Sequence, residues 1–338
     1  MITYPPNLKE NAHIGVTAPS SGVPDALHHL LHEAIKRQTE RGYKITVGDT
    51  AWTQQNLTSA SAIKRAAEFN AMMQDHHIDI IIPPWGGERL IDILPFIEFN
   101  KFQPKWVLGY SDTSLLLLAI TLHTGLATAH GTNFIDLRGT EMDETTAMWE
   151  DILKTPPGAS ITQMSSNHYQ HEWQFDNPTP HIFHLTEKTV WKSASGQPET
   201  LEGHLLGGCI DTVKHLMGTP YGDVNKFVNN YIPSKNIIWF FENCELSLPQ
   251  LHRTLIQMKL AGWFDHCNGI MFGRSSAQKV EGDYELIDLY RTLSTELAIP
   301  ILYDIDCGHL PPQLTLVNGA FATIHFNNGQ GIVTQSFK

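Results

Sequence analysis

Between residues 14 and 130, short apolar runs alternate with helix-length segments, and this alternation restricts the chain to few architectures. The runs begin at Ile14, Lys44, Ile78, Trp106 and Ala127. Helical patterns are expected between them, from Pro24 to Gly42, Ser59 to Gln74, Arg89 to Ile97, and from the segment after Ser111 to Gly125. Strand and helix in alternation build a parallel sheet with helices on its faces. Ile78 to Ile82, with Asp79 its single polar member, has the composition of a strand buried on both faces. Residues 1–150 therefore read as an open, doubly wound α/β domain. Ligands in such sheets sit at the carboxyl ends of the strands.

Two turns fall at such ends. Pro83-Pro84-Trp85-Gly86-Gly87-Glu88 follows one strand, and Gly109-Tyr110-Ser111-Asp112 follows the next. Ser111 stands between the apolar run Trp106–Leu108 and an apolar helix. Its backbone neighbours open that helix, where N–H groups point toward a developing oxyanion. This is the logic of a nucleophile elbow, with Thr113 in place of the second glycine of G-x-S-x-G. A serine in this position can equally serve as a helix N-cap.

The second half changes character. Residues 156–200 are polar, punctuated by Pro and Gly, and carry Trp173 and Trp191. Residues 151–185 are expected to link the first domain to a smaller, β-rich α/β domain at 186–338. Two strand ends in that domain carry acid–base candidates. Glu242 follows Ile237-Ile238-Trp239-Phe240-Phe241, and an unpaired carboxylate there would be costly. His309 lies between Gly308 and the stiff Leu310-Pro311-Pro312 segment. A serine, a histidine and a carboxylate on separate strand ends suit nucleophilic acyl transfer. With 18 histidines in the chain, spacing alone allows many such triads.

Composition removes several other functions. A net charge of −12 and the lack of a basic run argue against a nucleic-acid surface. No apolar stretch reaches the ~18 residues of a membrane span. The first residues, MITYPPNLKENAH, have neither a basic nor an apolar secretion region, so a cytoplasmic location is expected. Cys209, Cys244, Cys267 and Cys307 form no C-x-x-C pair and read as reduced thiols. The pairs His28-His29 and His76-His77 read as solvated helix faces, so no metal and no other cofactor is expected.

The ordered set of motifs resembles the LD-carboxypeptidase family of serine peptidases, which includes muropeptide LD-carboxypeptidases and microcin C immunity peptidases. The motifs are IGVTAPSSG (14–22), WGGERLIDILP (85–95), GYSDTS (109–114) and GHLLGGCIDTVKHLMGTPY (203–221). They continue with WFFENCE (239–245), GWFDHCNGIMFGR (262–274) and GHLPPQLTLVNGA (308–320). The resemblance implies a flavodoxin-like N-terminal domain and a catalytic Ser111, Glu242 and His309. It also implies an oxyanion hole from the backbone N–H groups of Gly86, Gly87 and Asp112, no metal, and a homodimer. The chain departs from the family pattern at Asn243, at Cys209 and at Glu88-Arg89, which follow the Gly-Gly turn where an aromatic is usual. Glu88 and Arg89 are expected to form an ion pair at a helix start.

The expected function is a serine carboxypeptidase acting on the C-terminal amide of a small, unusual peptide. The favoured substrate is a peptidyl-nucleotide of the microcin C kind, with detoxification as the outcome. Trp85 and Trp191 are candidate substrate contacts, Trp191 by stacking on a nucleobase. The alternatives are a murein tetrapeptide in cell-wall recycling and a binding protein without activity.

Overall fold

The structure, a computed structural model, describes residues 1–174, 177–277 and 282–338. Strands β1 (His13–Val16), β2 (Lys44–Val47), β3 (Ile80–Ile81), β4 (Trp106–Gly109) and β5 (Thr128–His130) are parallel. Their spatial order, β2-β1-β3-β4-β5, is the flavodoxin-like order. Helices α1 (His28–Glu40), α2 (Ala62–Gln74) and α3 (Thr113–Thr124) follow β1, β2 and β4. The crossover between β3 and β4 differs from expectation. It is a 3-10 helix, Leu90–Phe96, with Pro95 inside it, and proline lacks the N–H that an α-helix would need there. The Ile78–Ile82 run pairs as a strand only at Ile80–Ile81. His76 and His77 lie in the turn after α2 rather than on a helix face.

After α4 (Glu144–Lys154) the chain enters a second sheet. Strand β6 (Ser160–Met164) comes first, then a short hairpin of β7 (His168–Tyr169) and β8 (Glu187–Lys188), then β9 (Lys192–Ser193). Strand β10 (Glu199–Cys209) leads through α5 (Ile210–Val213) and α6 (Val224–Tyr231) to β11 (Ile237–Glu242). Helix α7 (Leu248–Leu260), β12 (Cys267–Gly273), α8 (Leu286–Leu297) and β13 (Ile301–Ile305) complete a parallel run of four strands, β10 to β13. One more strand, β14 (Leu316–Asn318), precedes the closing hairpin β15 (Phe321–Asn327) and β16 (Gln330–Ser336).

Strands cross between the halves in both directions. β14 pairs antiparallel with β5 and so ends the first sheet, while β6, from the expected linking stretch, pairs with β16 at the edge of the second. The hydrophobic core is continuous across the two sheets: Leu108 and Leu117 belong to the same cluster as Leu206 and Phe241. Helix α3 lies in the middle of it. Every residue from Thr113 to Leu122 is buried, as an all-round apolar helix requires. Gly125 ends α3 at φ 72°, a left-handed cap that suits glycine. The result is a rigid central helix with Ser111 just before its first turn.

Candidate active site

Ser111 adopts φ 63°, a left-handed conformation uncommon for a residue with a side chain. Its carbonyl accepts the Ser114 N–H at 2.9 Å, so the strained residue is fixed by the start of α3. The Gly86-Gly87 turn packs directly on it. A Cβ on Gly86 would stand 2.6 Å from Ser111 Cβ and 2.8 Å from the Asp112 backbone nitrogen, so only glycine permits the approach. The Asp112 carboxylate does not cap α3. It accepts the Ser20 hydroxyl at 2.5 Å and the Leu90 N–H at 2.9 Å, tying the serine turn to the turn after β1 and to the segment after Gly87. Burial pushes its pKa up to about 6.

The other two residues arrive from the second sheet. Glu242 is the last residue of β11 and is fully buried. Gly308, at φ 102°, lies so close that a Cβ there would come within 2.5 Å of Glu242 Cβ and 2.6 Å of its Oε2. This close packing brings His309 into line. Its Nδ1 lies 2.9 Å from Glu242 Oε2 and its Nε2 lies 3.1 Å from Ser111 Oγ. Glu242 Oε1 has no hydrogen-bond partner within the geometric limits among the described residues, and the Cys209 thiol is a neighbour of the carboxyl group. Burial alone would pull the His309 pKa down, but the Glu242 charge outweighs it and holds the ring well above the ordinary imidazole value. Burial likewise pushes Glu242 up, and the adjacent His309 reverses the shift, leaving the carboxyl below the usual range. Tyr110 packs edge-on against the imidazole, with ring centroids 5.1 Å apart.

Two cavities meet at Ser111. The larger, about 1070 Å³, has Trp85, Tyr110, Trp173, His309 and Leu310 in its walls. The Trp85 indole donates to the Gly22 carbonyl at 3.1 Å, and the Trp173 indole donates to the His309 carbonyl at 2.9 Å. The smaller, about 310 Å³, is polar and is lined by Glu88, Asp211, Lys214 and Glu245. Trp191 is in neither. It is 1% exposed, belongs to the core under the second sheet, and donates to Asp306 Oδ2 at 2.8 Å. The expectation that Trp191 contacts substrate is therefore corrected: the cleft tryptophans are Trp85 and Trp173. The sequence around Trp173 marks no role for it, because nothing local separates a wall indole from a core indole. The expected Glu88–Arg89 pair does not form either. Arg89 pairs with Asp92 at 2.8 Å, while Glu88 faces the smaller cavity. Among the described residues one group has metal-ligand spacing, the exposed Asp75, His76 and His77, and none of the three lines either cavity.

Residues 14–131 match the family model described as the LD-carboxypeptidase N-terminal domain, and residues 202–324 match the C-terminal domain of the same family. The chain belongs to the LD-carboxypeptidase family. It is 26% identical to the microcin C7 self-immunity protein MccF of Escherichia coli, over 96% of this chain and 93% of that one. It is 25% identical to a Bacillus subtilis protein named a probable murein peptide carboxypeptidase, over 96% and 92%. The fold is shared with MccF solved in complex with aspartyl sulfamoyl adenosine, at a TM-score of 0.83, 23% identity and 99% coverage of both chains. As a member of this family the protein is a peptidase. Among the described residues no helix is long and apolar enough to cross a membrane.

Proposed function

We propose that the protein is a serine carboxypeptidase that hydrolyses the acyl bond of a peptidyl- or aminoacyl-nucleotide, with Ser111, His309 and Glu242 as its catalytic residues. The observation that carries this reading is the hydrogen-bonded line from Ser111 through His309 to buried Glu242, at the floor of an aromatic-walled cleft. His309 Nε2, in its neutral form, takes the Ser111 proton as Oγ attacks the acyl carbon. Glu242 accepts the Nδ1–H bond and stabilises the imidazolium that results. The carbonyl oxygen becomes an oxyanion received by the backbone N–H groups of Asp112 and the Gly86-Gly87 turn. His309 then gives its proton to the leaving nitrogen, and that bond breaks to leave an ester on Ser111. A water, deprotonated by His309, hydrolyses the ester and restores the serine.

The larger cleft supports a nucleotide over a plain dipeptide, because the half-buried indoles of Trp85 and Trp173 in its walls suit stacking on a base. The binding of an aminoacyl sulfamoyl nucleoside by the related MccF agrees with this. A second reading, cleavage of a murein tetrapeptide, is favoured by the smaller cavity. Its carboxylates and Lys214 suit a zwitterionic amino acid. The test assays the purified protein against an aminoacyl sulfamoyl adenosine and a murein tetrapeptide side by side, with fluorophosphonate labelling in parallel. Hydrolysis of the nucleoside with labelling at Ser111 is expected. Hydrolysis of the tetrapeptide alone replaces the first reading by the second, and failure to label Ser111 refutes the serine mechanism.

A further inference from the structure

Three successive parallel strands end at one point behind the site. β11 delivers Glu242, the residue after β12 is Arg274, and the residue after β13 is Asp306. Arg274 and Asp306 form an ion pair, Nη2 to Oδ1 at 2.8 Å, with side chains 6% and 0% exposed. A pair this deep stabilises a fold little better than apolar residues of the same volume. Its presence is better explained by what else it holds.

The guanidinium has further partners. Nη2 also lies 3.3 Å from the Leu310 carbonyl and 3.4 Å from the Pro312 carbonyl, and Nη1 lies 3.3 Å from the Asp304 carbonyl. Leu310 and Pro312 belong to the segment that carries His309, and two consecutive prolines there, Pro311 and Pro312, supply no backbone N–H. Arg274 provides donors that the segment lacks. Asp306 in turn fixes the guanidinium, and is itself held by the Ser166 N–H at 3.0 Å, the Ser166 hydroxyl at 2.5 Å and the Trp191 indole at 2.8 Å. The opposite side of the segment is secured by Trp173 on the His309 carbonyl.

We infer that Arg274, oriented by Asp306, is a positioning residue that fixes residues 308–312 so that the His309 ring spans Ser111 and Glu242. The inference rests on the serine mechanism proposed above. Arginine is needed because one planar fork reaches a carboxylate and several carbonyls together, which a lysine ammonium on its flexible stem does not. Losing the fork lets the ring drift from the line between serine and glutamate. Attack slows, and substrate binding in the cleft does not change.

The test is Arg274→Lys, which keeps a positive charge opposite Asp306 and so avoids an uncompensated buried carboxylate. The second-order rate of fluorophosphonate labelling is expected to fall between ~10-fold and ~10²-fold, the scale of a displacement near 1 Å in a catalytic group. The kcat per labelled serine should fall by a similar factor with KM unchanged. Asp306→Asn frees the guanidinium and should lower the same two quantities, which gives an independent reading if Arg274→Lys fails to fold. A folded Arg274→Lys with wild-type labelling overturns the inference, as does a loss expressed in KM. If the wild type itself is not labelled, the serine mechanism has failed instead.

Discussion

Replacing Glu242 by glutamine removes one charge from the site and almost no volume. The carboxylate oxygen lies 2.9 Å from His309 Nδ1, and the side chain is fully buried. Two unit charges at that distance attract by about 6 kcal/mol at an effective dielectric constant near 20. The imidazolium formed during attack loses that stabilisation, so turnover should fall ~10⁴-fold. Local geometry also favours a clean replacement. With its carbonyl toward Nδ1, the amide leaves its NH₂ toward the place of the unpartnered Oε1. The His309 tautomer is then preserved and only the charge is lost. The assay is kcat/KM as a function of pH, with melting temperature measured on the same preparation. The wild-type acid limb should lie above the ordinary imidazole value of ~6.5 and move down in Glu242→Gln. A folded variant with turnover within tenfold of wild type would refute the reasoning. Neither nearby aspartate is then free to take over, since Asp304 pairs with Lys192 and Asp306 with Arg274.

The ion pair also makes stability depend on pH in two directions. Glu242, held below its usual range, stabilises the fold above ~4.5 and loses that contribution as pH falls through its folded value; His309, held above ~6.5, contributes fully below that value and loses it as pH rises through its folded one. Denaturant midpoints should therefore be highest between these limits, and Glu242→Gln should flatten the profile. Ser111→Gly should abolish fluorophosphonate labelling and be about 1 kcal/mol more stable than Ser111→Ala, since glycine alone adopts φ 63° without strain. Gly86→Ala should lower turnover by at least ~10²-fold in a folded protein, because its Cβ would stand 2.6 Å from Ser111 Cβ and must displace the nucleophile. Trp173→Ala should raise KM for a nucleotide substrate by roughly tenfold, the value of one stacked base. Trp191→Phe should lower the melting temperature and leave KM unchanged, because its indole bonds only within the core.

The alternation of apolar runs and helical segments determined the parallel sheet, because a strand with both faces apolar is stable only between layers of helices. It also set Ser111 at a strand end ahead of an apolar helix, with the Gly86-Gly87 turn on the preceding strand. Glu242 and His309 were legible with more help. Each stood at a strand end, but only the ordered motifs of the family selected them from the chain's 18 histidines and many carboxylates. What local sequence could not decide was which groups meet across the two sheets. Trp173 and Trp191 both stand in the polar stretch 156–200, yet one walls the cleft and the other is in the core. Strand β14 is three residues long, and it joins the first sheet because of the register with β5, which has no signature within those residues. Arg274 follows an apolar run in the sequence as an ordinary basic residue. Its role depends on Asp306 and on two carbonyls more than thirty residues away, brought together only by the parallel register of β12 and β13. Periodicity reports which face of an element is buried, and the sequence by itself determined that much. Contacts between elements far apart in the chain depend on how whole sheets pack, which only the tertiary structure decided.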